Sequence, residues 1–117
     1  WRSGSPPGVR GLNAVDELYA DSRLWLQQGW VDYLTPQLYW PIKAPAQSYP
    51  VLLRWWSEQN VHGRHLWPGH AAHRVGAAGY PASEIKEQIA LTQAFAQEQS
   101  SPTTEGNVLF GWSSVMQ

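Results

Sequence analysis

The chain has 117 residues, with eight Lys or Arg against nine Asp or Glu and a formal net charge of −1 at pH 7. This length allows one domain with a modest core, and the balanced charge provides no basic field for a phosphate backbone, so no nucleic-acid partner is expected. The absence of cysteine excludes disulfides, and the apolar runs are far shorter than the ~20 residues that span a bilayer, so no membrane insertion is expected.

Aromatic residues are frequent, with eight Trp and five Tyr beside only two Phe. Such rings either build a core or offer flat faces to ligands, so their positions must decide between the two uses. The N-terminus carries neither an initiator Met nor a signal peptide. We expect a piece of a longer protein whose targeting signal, if any, lies upstream.

The first predicted element is a helix of about four turns, after a loop of Gly, Pro and Ser over Ser3–Gly11. Asn13 is its predicted N-cap, apolar residues follow at helical spacing, and Gly29 is the expected stop. Val31–Leu38 is then predicted as a strand because it is rich in β-branched and aromatic residues. Pro36 cannot donate to a neighbouring strand, so pairing should end early there, near a functional rim.

Two further helices and two strands are predicted downstream. Ser48 begins a helix whose predicted core face consists of Val51, Leu52, Trp55 and Trp56. Arg64–His70 is a short strand broken at Pro68, and Ala71–Pro81 is a loop of small residues. Ser83 opens the next helix, with inward positions predicted at Ile85, Ile89, Thr92 and Phe95. The last predicted element is a buried strand over Val108–Trp112.

This alternation of helices and strands predicts the α/β class, with parallel strands joined by crossover helices. A doubly wound sheet and part of a barrel both fit the order of elements. No internal repeat is evident beyond this structural alternation.

Three segments together resemble one known family. They are Tyr19–Tyr33 running into Pro36–Trp40, then Tyr49–Trp56, then Gly106–Phe110. Their order and spacing resemble the C-terminal half of the glycosyl-hydrolase-like family ten domain, which is distinct from the family-ten xylanases. The match covers nearly the whole chain.

The resemblance implies a partial (β/α)₈ TIM barrel, with residues 1–117 forming a single fragment of its C-terminal half. Trp1 then follows barrel strand five, Val31–Leu38 is strand six, His65–His70 is strand seven and Val108–Trp112 is strand eight. The family comprises bacterial, mostly exported proteins, and characterised relatives cleave the glycan of peptidoglycan. The resemblance therefore implies an oligo- or polysaccharide partner, a periplasmic or extracellular location and no cofactor.

The family's catalytic carboxylates belong around the end of barrel strand four, so the resemblance implies no catalytic residue in this chain. The residues agree, because a glycosidase needs two carboxyl groups and a barrel presents them at the C-terminal ends of its strands. No predicted strand ends in an acid, and Asp32 lies at the beginning of its strand. We expect the fragment alone to be inactive and to supply half of a substrate groove.

Seven residues are predicted to contact substrate: Gln37, Tyr39, Trp40, His70, Trp112, Trp1 and Arg2. The first three lie where a strand meets the active-site face, and an amide, a phenol and an indole suit the hydroxyls and C–H surface of a sugar. Alternatively, Gln37 bonds to nearby backbone and the two rings plug the barrel mouth.

The other predicted contacts also have alternatives. Trp1 and Arg2 offer a stacking ring and a cationic donor, or belong to a disordered terminus. Trp112 closes the opposite side of the cleft, or is a core aromatic under a rim loop. At His70 the sequence departs from the family, which more often ends this strand in Gly-Gln, so an imidazole replaces an amide.

Four histidines, at positions 62, 65, 70 and 73, raise the question of a metal site. No helix spans them, and neither Cys nor a nearby acid completes a ligand set, so no metal is predicted. His70 and His73 are interpreted as polar cleft residues.

Two other functional classes remain open: a non-catalytic carbohydrate-binding module that kept the barrel rim, and a structural barrel module without a ligand. A half barrel has open sheet edges and an uncovered apolar face, which favour pairing with other chains. We therefore expect self-association or packing with the missing half barrel.

Overall fold

The computed structural model describes residues 5–100 and 102–116. Its helices are α1 (Ala14–Leu18), α2 (Ser22–Gln27), α3 (Tyr49–Gln59), α4 (Ala82–Glu98) and α5 (Trp112–Val115). Its strands are β1 (Tyr33–Leu34), β2 (His65–Leu66), β3 (Gly69–Ala71) and β4 (Val108–Phe110), and single 3₁₀ turns cover Ala72–Arg74 and Pro102–Thr104. None of the helices in these ranges is long and apolar enough to cross a membrane.

The strands pair in parallel. β1 lies beside β2, with Tyr33 opposite His65, and β3 lies beside β4, with Gly69 opposite Val108. A parallel bridge between Gln37 and Gly69 joins the segment after β1 to β3. Parallel strands with helices in the connections are the mark of the α/β class, so the predicted class is confirmed.

Two prolines set the lengths of the strands. Pro36 has no N–H to donate, and its carbonyl oxygen accepts from the Gly69 amide at 2.9 Å. Regular pairing therefore ends at Leu34, and the predicted strand over Val31–Leu38 is too long. Pro68 divides the other predicted strand, over Arg64–His70, into β2 and β3. Its carbonyl oxygen accepts from the Val108 amide at 3.0 Å.

The single four-turn helix predicted after Asn13 is wrong, because the chain forms two short helices. The side chain of Asn13 caps α1 as predicted, accepting from the amides of Val15 and Asp16. Tyr19 then takes the left-handed conformation, with φ 52°, and ends α1. Asp21 is the N-cap of α2, and its side chain accepts a hydrogen bond from the Leu24 amide. Apolar residues continue at helical spacing across this break, so the sequence pattern alone does not reveal it.

The apolar core lies between α2, α3 and one side of the strands. Its buried members are Leu26, Leu38, Tyr49, Leu52, Leu53, Trp55, Trp56 and Leu66. Burying one such aliphatic side chain contributes roughly 1.5–3 kcal/mol. Trp55 and Trp56 belong to the core as predicted, with ring centroids 4.9 Å apart in an edge-to-face arrangement. Val51 does not, because Leu53 takes the inward position and leaves Val51 43% exposed.

Helix α4 packs inward with a mainly polar side, so Thr92 is the one of its four predicted inward positions that is fully buried. Its buried residues, Glu84, Gln88, Thr92 and Ala96, follow one another at intervals of four. The predicted apolar positions Ile85, Ile89 and Phe95 flank this row and are half-buried. The polar side is stable inside because its groups have hydrogen-bond partners on other elements.

The predicted burial of the last strand is also wrong. Val108, Leu109 and Phe110 are 39, 42 and 57% exposed, because within the described ranges β4 has β3 as its one neighbour. Trp112 does not end this strand. It begins α5 and is 75% exposed.

Candidate functional site

Three rings meet at the C-terminal ends of the strands. Tyr39 follows β1, His73 lies in the turn after β3, and Phe110 is the last residue of β4. Their centroids are 5.4 Å apart for Tyr39 and His73, 5.5 Å for His73 and Phe110, and 6.1 Å for Tyr39 and Phe110. We call Tyr39, His73 and Phe110 the ring cluster. Parallel strands bring their C-terminal ends to the same edge of a sheet, where α/β proteins bind ligands.

The turn after β3 holds the ring cluster together. His73 donates from Nδ1 to the carbonyl oxygen of Phe110 at 3.2 Å, and Arg74 donates from Nη1 to the carbonyl oxygen of Tyr39 at 2.9 Å. One short turn therefore ties the ends of β1 and β4 to that of β3. His73 and Phe110 are exposed and Tyr39 is half-buried, so a ligand has access to the rings.

The phenol of Tyr39 stays protonated well above neutral pH. Partial burial is the largest cause that raises its pKa, the nearby Arg74 opposes this effect, and Tyr80 adds to it. A neutral hydroxyl both donates and accepts hydrogen bonds. Tyr39 therefore offers a flat face and a hydrogen-bonding group in the same cluster.

Gln37 and Trp40 line a neighbouring pocket of about 490 Å³. The pocket lies between the loop before α1, the two short helices, the end of β1 and α3, and Arg10, Asp21 and Arg23 supply charged groups to its lining. Its volume falls in the range of small-molecule sites. Gln37 is exposed, whereas Trp40 is half-buried against the core. The structure thus brings Gln37 and Trp40 to one pocket and Tyr39 to the ring cluster beside it.

The remaining predicted contacts lie elsewhere. His70 is fully buried, its ring stacks on Tyr49 at 5.4 Å, and both ring nitrogens have partners within the chain. It is not an open cleft residue in this structure, and a direct contact of His70 with a sugar stays a prediction. Trp112 lies two residues after Phe110, and its stacking role stays a prediction. Trp1 and Arg2 lie outside the described residues.

No strand of the described chain is followed directly by an acid. Asp32 precedes β1, and Glu105 lies in the loop before β4. Glu84 is buried on α4, where its Oε1 accepts from the Ile42 amide at 2.7 Å. Within residues 5–100 and 102–116, no three His, Asp or Glu side chains lie close enough together to hold a metal ion.

Two features of this region were not predicted from the sequence. Phe110 was assigned to a buried strand, although its place at a strand end could have marked it as a site residue. The second is that Gln88 and Asn107 form hydrogen bonds with His70. The inward position of Gln88 was not predicted because a row of polar residues at helical spacing, here from Glu84 to Thr92, usually marks the solvent-facing side of a helix.

Parallel strands alternating with helices, with accessible rings at the C-terminal strand ends, define an α/β protein with a candidate site at its strand ends. The sequence profile of the family described as glycosyl hydrolase-like 10 matches residues 3–86. This chain therefore belongs to the glycosyl hydrolase-like 10 family, as the resemblance predicted.

Two proteins with similar sequences are both named glycosyl hydrolases. The chain is 37% identical over 126 aligned residues to "Glycosyl hydrolase DigH" of Escherichia coli strain K12, and the match covers 94% of this chain and 27% of that protein. It is 43% identical over 82 residues to "Glycosyl hydrolase YngK" of Bacillus subtilis strain 168, covering 64% of this chain and 16% of that protein. The chain thus spans about a quarter of the length of the first of these relatives.

Proposed function

We propose that the protein containing this chain is a glycoside hydrolase acting on the glycan strands of bacterial cell walls, and that this chain supplies half of its substrate groove. The ring cluster is the observation that carries the proposal. Tyr39, His73 and Phe110 combine accessible ring faces with hydroxyl and imidazole groups at the edge where α/β enzymes bind substrates.

The chemistry of the cluster suits a saccharide. The Phe110 ring is stacked on Tyr39 at an interplanar angle of 26° and is itself 57% exposed, so its outer face can pack against the C–H surface of a sugar ring. The neutral hydroxyl of Tyr39 and the exposed amide of Gln37 can hydrogen-bond to sugar hydroxyls. Trp40, Trp112, Trp1 and Arg2 are further proposed contacts in the complete groove.

The proposal includes a partial (β/α)₈ barrel, in which β1 is strand six, β2 and β3 form strand seven, and β4 is strand eight. The parallel order of neighbouring strands and family membership support this assignment. The two catalytic carboxylates then belong to the upstream half, which is consistent with the lack of an acid directly after any described strand. Family resemblance further suggests a periplasmic or extracellular location.

Binding is tested with chitooligosaccharides, which are soluble β-linked oligomers of N-acetylglucosamine, by calorimetry and by two-dimensional NMR on the 117-residue chain. Phe110→Ala should weaken binding about tenfold, the effect of losing roughly 1.4 kcal/mol at a central contact. Tyr33→Ala is the matched control, because Tyr33 is 56% exposed against 57% for Phe110 but lies at the start of β1. Equal effects of the two substitutions would refute a site at the strand ends.

Hydrolysis is tested with the full-length protein on glycan strands freed of their peptides. The full-length protein should release reducing ends, and Phe110→Ala should lower its kcat/KM. The 117-residue chain alone should release none. Release by this chain at the rate of the full-length protein would show that the catalytic acids do not lie upstream.

A non-catalytic carbohydrate-binding function is the second candidate, favoured by the absence of an acid after the described strands. A full-length protein without a carboxylate at the end of barrel strand four would bind the same sugars and hydrolyse none. Binding without hydrolysis would therefore select this candidate.

A further inference from the structure

Arg74 adds a positive charge to the edge of the ring cluster. It follows His73 in the turn after β3, where its own carbonyl oxygen accepts from the Ala77 amide at 2.9 Å. Its guanidinium donates from Nη1 to the carbonyl oxygen of Tyr39 at 2.9 Å. Hydrogen bonds of both the main chain and the side chain therefore hold this charge at the C-terminal ends of the strands.

The two ends of the ring cluster differ in charge. His73 bonds to the carbonyl oxygen of Phe110, at the end of β4. Arg74 bonds instead to Tyr39, which follows β1. β3 lies between these two segments, because it pairs with β4 and also bridges to Gln37. The cluster is thus cationic at its Tyr39 end and apolar at its Phe110 end.

Most of the donors of Arg74 are available to a ligand. A guanidinium carries five N–H groups in a planar fork. Within the described part of the chain, the bond to Tyr39 is the one that this side chain makes, and no carboxylate there forms an ion pair with it. The side chain is exposed. Arg74 can therefore pair with an anion that comes from outside the chain.

The titratable groups around Arg74 do not neutralise its charge. Burial is the largest cause that raises the pKa of the Tyr39 and Tyr80 phenols, and Arg74 opposes this effect in both. Its charge therefore acts across the cluster, while both phenols stay neutral at neutral pH. Glu84 on α4 is buried, and its Oε1 accepts from the Ile42 amide. The edge of the ring cluster thus favours an anionic ligand.

A sugar that carries a carboxylate fits this arrangement. Arg pairs with a carboxylate through two parallel N–H···O bonds, which fix the orientation of the anion as well as its position. The exposed ring of Phe110 offers its outer face to the C–H surface of the same sugar. The glycan strands of bacterial cell walls alternate N-acetylglucosamine with N-acetylmuramic acid, whose lactyl group ends in a carboxylate where no peptide is attached.

We propose that Arg74 is a specificity-determining residue that binds the lactyl carboxylate of an N-acetylmuramic acid lying on the ring cluster. The assignment rests on the proposed function and deepens it, because it makes the site prefer a glycan with free carboxylates to a neutral one. The carboxylate lies toward Tyr39 and the sugar ring toward Phe110.

The first test compares two tetrasaccharides that differ in charge. One alternates N-acetylglucosamine with N-acetylmuramic acid, and in the other each carboxyl group is converted to a primary amide. In calorimetry, the 117-residue chain should bind the acid about tenfold more tightly than the amide. The preference should shrink as NaCl is added, because salt screens exposed charges. Equal affinities for the acid and the amide would overturn the proposal.

The second test changes the charge on the protein. Arg74→Gln should abolish the preference for the acid and leave the affinity for the amide near that of the wild type. Arg74→Lys keeps the charge without the planar fork, so it should keep part of the preference. Arg54→Gln is the matched control, because it removes the same charge from an exposed position on α3, where the guanidinium lies over the Phe95 ring. An equal loss of preference in Arg54→Gln would point to net charge and overturn the role of Arg74.

A purely structural role of Arg74 gives a different result. If its guanidinium served to hold the Tyr39 backbone alone, Arg74→Gln would weaken binding of the acid and of the amide by the same factor. That outcome would also overturn the proposal.

Tetragalacturonate distinguishes the source of the carboxylate, because its acidic sugars lack the lactyl and N-acetyl groups. Tighter binding of tetragalacturonate than of the muramic tetrasaccharide would overturn the assignment to muramic acid. Failure of the wild type to bind the acid, the amide or chitooligosaccharides would reject the proposed function itself. Equal binding of the acid and the amide rejects the role of Arg74 and leaves the proposed function in place.

Discussion

The hydroxyl of Tyr49 on α3 lies 2.6 Å from Oγ1 of Thr92 on α4, inside the core. Thr92 also donates from its hydroxyl to the carbonyl oxygen of Gln88 at 3.0 Å. The single proton of Thr92 is thus engaged, and Tyr49 is the donor of the contact between the helices. A hydrogen bond with Tyr49 as its donor therefore joins α3 to α4, in addition to their apolar packing.

Replacing Tyr49 by Phe should lower the free energy of unfolding by about 1 kcal/mol, the usual net value of such a bond. Urea unfolding followed by Trp fluorescence measures the change. Tyr19→Phe is the control, because Tyr19 is 91% exposed and its hydroxyl should contribute nothing measurable. A Tyr49→Phe variant as stable as the wild type would show that the bond makes no net contribution.

Alkaline pH should destabilise the fold through its tyrosines. Burial is the largest cause of the raised pKa of Tyr39, Tyr49 and Tyr80. Between the usual Tyr pKa of about 10 and these raised values, the folded chain keeps protons that the unfolded chain releases. This contribution to stability is therefore complete below about pH 10 and declines as pH rises through the folded pKa values.

Phenolate absorbance and unfolding curves at several alkaline pH values would measure this effect. Tyr49→Phe should flatten the decline in stability relative to the wild type, whereas Tyr19→Phe should leave its slope unchanged. An unchanged slope in Tyr49→Phe would contradict a contribution from the Tyr49 proton.

Gly106 provides the space for the Trp67 ring. A Cβ at Gly106 would lie 2.5 Å from Trp67 Nε1, which no ordinary contact allows. Trp67 stacks on Tyr33 with centroids 5.2 Å apart, so its ring cannot move without disturbing that contact. We expect Gly106→Ala to cost about 1–3 kcal/mol of stability.

Thermal and urea unfolding test this expectation, with Gly111→Ala as control because a Cβ there meets nothing within 4 Å. Combining Gly106→Ala with Trp67→Val should recover part of the loss attributed to the clash. If Gly106→Ala were as stable as Gly111→Ala, close packing against Trp67 would not be the reason for glycine.

The outer edge of β4 should promote self-association. Leu109 is 42% exposed on a strand that pairs with β3 on one side within the described ranges. Leu109→Lys should reduce association, because charged side chains oppose strand pairing at an edge. Sedimentation velocity over a range of concentrations measures the result. Val61→Lys is the control, since Val61 is 69% exposed in a turn outside the strands, and an equal effect there would point to net charge instead.

Local signals in the sequence predicted much of the fold. The capping role of Asn13, the start of α3 after Ser48 and the burial of Trp55 and Trp56 all depend on a few neighbouring residues. The effect of Pro36 was also predictable, because a missing N–H limits strand pairing wherever it occurs. Gln37 and Tyr39 were predicted as substrate contacts because they follow a strand. The structure places Gln37 in the pocket and Tyr39 in the ring cluster, and their contact with a substrate stays a prediction.

Other features depend on partners that are distant along the chain. The polar side of α4 is buried because Gln88 meets His70 and Trp40, which are 18 and 48 positions away. The break at Tyr19 was hidden by apolar spacing that continues into α2. Phe110 was missed because an apolar run looks the same whether its strand has neighbours on one side or on both.

The bonds of His70 to Gln88 and Asn107 also limit how this chain can diverge. Substituting one of these residues leaves a buried group of another without its partner, so a lineage that changes His70 should change Gln88 or Asn107 with it. Alignments of close relatives should therefore show positions 70, 88 and 107 varying as a group, while exposed Tyr19 varies independently of them.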